Sequence, residues 1–415
     1  MPGPTAYFDP ATTNTLDSAT RELVERRARS LGSAYRLFYE EPVQFVRGSG
    51  TKLYTADGTE YLDAYNNVPS VGHAHPRVAA AIAEQAAKLT THTRYLDRAI
   101  VDYAEDLLSE FPASLANVMF TCTGSEAGDL ALRIAKAATG GTGVIVTENA
   151  YHGVTTEVAS VSPSLGGVAS LASWVRTVPA PGDGDLARDV RAAIDSFAAD
   201  GVRPAALLVD TIFASDGVRP DVPGFPEAVA AVRAAGGLFI ADEVQPGFGR
   251  LGTGMWGFAR HGLEPDIVTM GKPMGNGHPI AAVVARRELV DAFGSRARYF
   301  NTFGGSSVSI AAARATLDVI RDEDLIANAK AMGDYLLAQL PSIDGVAEVR
   351  GVGLFIGARV ASEDVALQAV NDLKRRRILL GESGKGNDVL KIRPPLVFDR
   401  ADADRLLEGL AAVLS

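Results

Sequence analysis

"DIVTMGKPMGNGHP", residues 266–279, joins a short apolar run to a loop of three glycines, two prolines and one lysine, Lys272. A solvated lysine in a turn needs no such surroundings, so the stretch is read with its neighbours. Its apolar half is one of a series: "NVMFT" (117–121), "TGVIVT" (142–147), "AALLVDTIF" (205–213) and "GLFIADEV" (237–244). These runs are short and rich in β-branched residues, and helical patterns separate them, which predicts a mostly parallel sheet covered by helices on both faces. One such helix, "PRVAAAIAEQAAKL" (76–89), opens with proline at its first position.

Outside this region the texture differs. Residues 1–70 carry a helical stretch, "SATRELVERRARSLG" (18–32), then alternating segments around an Asp57-Gly58 hairpin signal. Residues 309–415 hold long helical patterns, the segments "VAEVRGVGLFIGARV" and "DVLKIRPPL", and a last helix, "ADADRLLEGLAAVL". The expected fold class is α/β. It has a large domain over 71–308, a small α+β domain over 309–415, and an N-terminal segment, 1–70, that packs with the small domain.

The 415 residues include 47% hydrophobic and 22% charged residues, as in an ordinary globular protein. A net charge of -10 argues against nucleic acid as a bulk electrostatic partner. One cysteine, Cys122, excludes an intrachain disulfide. The start lacks the basic and apolar regions of a signal peptide, and no apolar run approaches the roughly 18 residues of a membrane span. The expectation is a cytoplasmic protein without membrane contact.

In an open α/β sheet, ligands bind beyond the carboxyl ends of the strands, and four polar signals fall there. "TCTGSEA" (121–127) opens a helix, so Gly124 and Ser125 stand where free N–H groups and a hydroxyl hold phosphate; the bland reading is that Ser125 only caps the helix. "NAYHG" (149–153) brings Tyr151 and His152 to the same edge. "ADEVQPGFGR" (241–250) carries Asp242 and Glu243, which face opposite ways on a strand. Lys272 is the fourth. A phosphate cradle, an aromatic plate, a buried carboxylate and a lysine are the parts of a pyridoxal-phosphate site. The cofactor's carbonyl needs an amine for a Schiff base, and its pyridine nitrogen needs a carboxylate partner.

From about residue 35 to 415 the chain resembles the class III, fold-type I pyridoxal-phosphate aminotransferases. The motifs that carry the likeness, in order, are "VGHAHP", "TGSEA", "YHG", "ADEVQPGFGR", "TMGKPMGNGHP", "NTFGG", "VRGVGLFIG" and "RPPL". The resemblance implies pyridoxal 5'-phosphate bound covalently by Lys272, with Asp242 at the pyridine nitrogen and Gln245 at the ring hydroxyl. Tyr151 would lie against the ring beside His152, and Gly124 and Ser125 would hold the phosphate. Thr302 would reach the phosphate of a partner subunit, so a homodimer or a dimer of dimers is implied.

Other patterns read as structural. "GTGMWG" (252–257) has dinucleotide-site glycines without the strand–helix context. His73 and His75 have a metal-like spacing but no third ligand, so no metal is expected. Cys122 reads as a small core residue.

Within the family, "GNGHP", "TRYL", "YFNTFGG" and "LKIRPPL" look most like the phospho-lyase branch, which eliminates phosphate from amino-alcohol phosphates such as O-phosphoethanolamine. The alternative is transamination between an amine and a 2-oxo acid. Where many class III transaminases carry an arginine three residues before a Pro-Pro pair, this chain has Lys391, with Arg393 two residues on. Lysine loses the bidentate fork for carboxylate and keeps a point charge suited to phosphate. Lys391, Arg393 and Arg94 are the candidate substrate ligands. Asp210 stands where many relatives carry glutamate.

Overall fold

The structure, a computed structural model, describes residues 7–166, 170–182 and 184–415. Its centre is a seven-stranded sheet built from β4 (Asn117–Thr121), β5 (Gly143–Thr147), β6 (Val175–Val178), β7 (Pro204–Asp210), β8 (Leu238–Asp242), β9 (Ile267–Met270) and β10 (Ala281–Ala285), in the order β4-β10-β9-β8-β7-β5-β6. The chain's first strands, β1 (Arg47–Ser49), β2 (Lys52–Tyr54) and β3 (Glu60–Asp63), lie outside it. β10 alone runs against its neighbours, β4 and β9, while β5 to β9 pair in parallel.

The period of two explains how this sheet is buried on both faces. Ile145, Leu207, Val209, Phe239, Ala241, Val268 and Met270 enter one core cluster, whereas Val144, Val146, Ala206, Leu208, Ile240 and Ile267 enter another. Helices Leu186–Ala199 and Phe225–Ala234 fill the first cluster, with Phe197, Phe225, Val229 and Val232. Helix Gly124–Thr139 fills the second through Ala127, Leu130, Ala131 and Ile134.

All five apolar runs of the sequence reading are strands of this sheet. Two strands lie beyond that reading. β6 is a four-residue edge strand with polar residues at its centre, and β10, "AAVVA", is alanine-rich and becomes a strand by fitting between β4 and β9.

Two smaller sheets flank the large one. β11 (Glu348–Val352), β12 (Phe355–Arg359), β14 (Gly381–Ser383) and β15 (Val389–Ile392) form an antiparallel sheet in the order β11-β12-β15-β14. β2 and β3 are the hairpin expected at Asp57-Gly58, where Gly58 has φ +87° and the Asp57 carboxylate accepts from Thr59 N–H at 3.0 Å. β3 then pairs in parallel with β13 (Ile378–Leu379), so the N-terminal segment is stitched to the C-terminal region by backbone hydrogen bonds. No helix among the described residues is long and apolar enough to cross a membrane.

Phe225 is fully buried, with its ring edge-on to Phe213 and Phe239 at 5.5 Å each. Phe225→Ala leaves a cavity between helix and sheet and is expected to cost about 3–5 kcal/mol in denaturant unfolding. A loss below ~1 kcal/mol, the scale of a surface change, would show that this face is not part of the core.

Candidate active site

Strands β7, β8 and β9 end side by side, and their register places Asp210 opposite Asp242 and Asp242 opposite Thr269. A cavity opens at these ends. Seven residues named from the sequence line it: Gly124, Ser125, Tyr151, His152, Asp242, Gln245 and Lys272. Gly153 and Asp210 line it as well, without a role assigned from sequence.

Lys272 follows β9 after a single residue, Gly271. Its φ of +25° is unusual for a residue with a side chain, and Gly271 and Pro273 flank it. The loop is held from outside: Asn276 accepts from Val71 N–H at 3.0 Å and donates to Gly72 C=O at 2.9 Å, and Ser70 donates to Pro273 C=O at 3.1 Å. A Cβ on Gly271 would come within 3.4 Å of the Gly124 nitrogen, so the lysine loop and the helix start approach closely. Loss of water around the Lys272 amine lowers its pKa from 10.5 to about 8; Arg393 pushes the same way, and Asp242 and Asp210 oppose.

The Asp242 carboxylate is oriented from three sides. One oxygen lies 2.7 Å from His152 Nδ1, and the other accepts from Val244 N–H at 3.1 Å and Thr269 Oγ1 at 3.3 Å. Glu243 points away, as alternation requires, and accepts from Thr211 Oγ1 and from the N–H groups of Gly257 and Phe258. The glycines of "GTGMWG" therefore belong to a loop tied by a buried glutamate.

The bland reading of Ser125 is overturned. The cap of helix Gly124–Thr139 is Thr123, whose Oγ1 accepts from Glu126 N–H at 3.1 Å. Ser125 Oγ instead accepts from Val154 N–H at 3.0 Å, which leaves its proton to donate. Gly153 makes this contact possible: its φ is +139°, and a Cβ there would lie 2.5 Å from Ser125 Oγ.

Three candidate substrate residues divide. Lys391 and Arg393 are both about nine-tenths buried. Arg393 Nη1 donates to Gln245 Oε1 at 2.5 Å and Asn67 Oδ1 at 3.3 Å, with its guanidinium 4.7 Å from the centre of the Tyr65 ring. Gln245 is thus engaged on this side by the arginine. Arg94 is exposed, stacked 3.5 Å over the Phe300 ring, and Thr302 is exposed too; within one chain none of the four lines the cavity, and Arg393 reaches it only through its bond to Gln245. His73 is paired with Asp63 at 2.7 Å and His75 with Glu323 at 3.3 Å, and no metal-binding cluster occurs among the described residues. Cys122 is partly exposed and outside the core clusters, unlike the core residue expected from sequence; burial, then Glu126, pushes its thiol up to about 11.

The family model for "Aminotransferase class-III" matches residues 38–414. A Drosophila melanogaster protein named alanine–glyoxylate aminotransferase 2-like is 37% identical, over 95% of this chain and 87% of its own. A Caenorhabditis elegans protein named ethanolamine-phosphate phospho-lyase homolog 1 is 35% identical, over 98% of this chain and 96% of its own. Among solved structures, a phospholyase from Arthrobacter in complex with phosphoethanolamine has a TM-score of 0.91 at 43% identity, covering 94% of this chain and 99% of that one.

An amine adds to a carbonyl only when neutral, and a lysine with a pKa of about 8 becomes neutral well below the ordinary 10.5. Borohydride fixation of an aromatic aldehyde on the cofactor-free protein should rise through about pH 8 and then level off. Peptide mapping should find the label on Lys272 and lose it in Lys272→Ala. A rate still climbing toward the ordinary lysine pKa would show that the amine is solvated.

Proposed function

The chain belongs to the class-III aminotransferase family and is a pyridoxal 5'-phosphate enzyme, and on that premise we propose that it is a phospho-lyase acting on an amino-alcohol phosphate of the O-phosphoethanolamine type. The site fits the cofactor. His152 Nε2 is buried without a partner, Gly153 clears the space beside Ser125, and Lys272 makes no hydrogen bond or ion pair with another described residue. Gly124 and Ser125 supply first-turn N–H groups and a hydroxyl for the phosphate. Tyr151 and His152, which line the same cavity as Asp242, would flank the ring, and Asp242 would hold the proton of the ring nitrogen.

When bound, the cofactor would supply an electron sink for the carbon next to the substrate's amine. Lys272 Nζ, as a neutral amine, would take the proton from that carbon. His152, Thr269 and the Val244 N–H hold the Asp242 carboxylate in place, so its charge is available without reorganisation. Lys391 and Arg393 bind the leaving phosphate.

One observation carries the lyase over transamination: Lys391 is nine-tenths buried, and its amine makes no hydrogen bond or ion pair with another described residue. Burial and the Arg393 charge push its pKa down to about 7. A buried cation left without a partner is costly, and a phosphate dianion beside Lys391 and Arg393 would answer both charges, where a carboxylate supplies one. The 43% identity to a phospholyase that holds phosphoethanolamine supports the same reading. The relatives named as aminotransferases keep amine-to-oxo-acid transfer as the second reading.

We further propose a homodimer in which Thr302 and Arg94 serve the partner's site. Segments 89–96 and 300–307 lie together through the Thr91–Ser307 hydrogen bonds and the His92–Phe300 ring contact. Between them they leave Leu89, Tyr95, Leu96 and Phe303 exposed, an apolar surface of the kind that interfaces cover. The division into 1–70, 71–308 and 309–415, and a cytoplasmic location, complete the proposal; the β3–β13 pairing supports the first and the single, unreactive cysteine is compatible with the second.

Incubation with O-phosphoethanolamine should release phosphate and acetaldehyde in equal amounts. Lys391→Gln should slow that release at least about tenfold, the scale of a lost charge-assisted contact, and leave the cofactor's absorbance unchanged. Amino transfer to a 2-oxo acid with no phosphate release would move the conclusion to aminotransferase. Asp242→Asn should lower turnover in either reaction, because an amide cannot hold the ring nitrogen's proton; near-native turnover in the cofactor-loaded variant would assign that role elsewhere.

A further inference from the structure

Arg250 closes the "QPGFGR" stretch that begins at Gln245, and at 2% exposure it is among the largest fully buried side chains of the protein. A buried guanidinium ordinarily faces a carboxylate. Arg250 has no ion pair among the described residues. Its Nη1 donates to two backbone carbonyls, Leu354 at 3.3 Å and Pro394, and its Nη2 has no partner. Burial, and after it the Arg393 charge, lowers its pKa to about 9, against the pull of Asp63. A charge this poorly compensated is expensive to keep, and apolar packing would hold two loops together without it.

The two carbonyls explain what the charge does. Leu354 lies in the turn between β11 and β12, and Pro394 directly follows Arg393 at the end of β15. β12 and β15 are hydrogen-bonded neighbours, with Gly357 opposite Lys391 and Ile356 opposite Ile392. The Arg250 carbonyl in turn accepts from Leu354 N–H at 3.0 Å. The fit here is tight: a Cβ on Gly353 would lie 2.3 Å from the Leu251 carbonyl carbon. One side chain therefore fastens the loop that carries Gln245 to the strand end that carries Lys391 and Arg393.

We infer that Arg250 is a positioning residue for substrate recognition: by gripping the Pro394 carbonyl it sets where Arg393 stands relative to Gln245 and the cavity. This rests on the proposed role of Lys391 and Arg393 toward the substrate's phosphate. Arginine suits the task because one guanidinium nitrogen, Nη1, reaches both carbonyls and the group remains charged. Methionine at this place would fill the volume and donate nothing.

The test is a double-mutant cycle on the cofactor-loaded enzyme with Arg250→Met, Arg250→Lys, Arg393→Gln and the Arg250→Met/Arg393→Gln pair. Arg250→Met should retain the cofactor's absorbance, raise KM for O-phosphoethanolamine about ten- to a hundredfold, the scale of a displaced binding group, and change kcat far less. Arg250→Lys should recover part of the loss. The double variant should be no worse than Arg393→Gln within about twofold, because Arg250 acts through Arg393. Penalties that multiply, or a fall in kcat with KM unchanged, would overturn the inference. If Arg250→Met does not fold, Arg250→Lys replaces it in the cycle; if neither folds, Arg250 serves the fold alone and the inference fails. Should the wild type release no phosphate and only transfer amino groups, the lyase reading falls. The same cycle on KM for the accepted amino donor then decides the role of Arg250.

Discussion

Two carboxylates end adjacent strands in register, Asp210 on β7 and Asp242 on β8, and the chemistry of the molecule is arranged around that juxtaposition. Neither can be charged there without help. Asp242 receives it from His152, Thr269 and a backbone N–H. Asp210 accepts from the N–H groups of Ile212 and Ala214, yet burial and the Asp242 charge still raise it to about 7. The cations respond in kind: Lys272 at the end of β9, and Lys391 and Arg393 from the neighbouring sheet, all couple electrostatically to this pair or to one another. The lysines lose basicity chiefly because burial strips water from their amines, with the Arg393 charge adding to it and the carboxylates opposing, and a neutral Lys272 is what carbonyl chemistry needs.

The backbone prepares the other half of the site. Thr123 takes over the cap of helix Gly124–Thr139, a contact of about 0.5–2 kcal/mol, and so releases Ser125 for the loop that carries Tyr151 and His152. Gly153 and Gly271 hold positions where a Cβ would meet Ser125 or crowd the Gly124 nitrogen. At Gly153 both the 2.5 Å approach to Ser125 Oγ and a φ of +139° call for glycine, whereas at Gly271 the neighbours stand at 3.3–3.4 Å and the constraint is milder.

Much of this was legible in the sequence. Runs of β-branched residues separated by helical periods announced the sheet, and the polar residues just beyond them announced its functional edge. Lys272, Asp242, Gly124 and His152 became candidates because each sits at or just beyond the end of a strand that local pattern reveals; alternation showed that only one of Asp242 and Glu243 could face the cavity, and the family resemblance chose Asp242.

What remained hidden depends on distance along the chain. β10 is a strand only because β4 and β9, far from each other in sequence, leave a place for it. Arg393 meets Gln245 across 148 residues, and Arg250 meets Pro394 across 144. No periodicity encodes such partners, since each is set by the order in which strands assemble and by the angle at which one sheet meets the next. The sequence by itself determined which elements form and which groups lie at their ends. The tertiary structure decided which charges face each other, because a buried charge takes its energy from neighbours that only folding brings near.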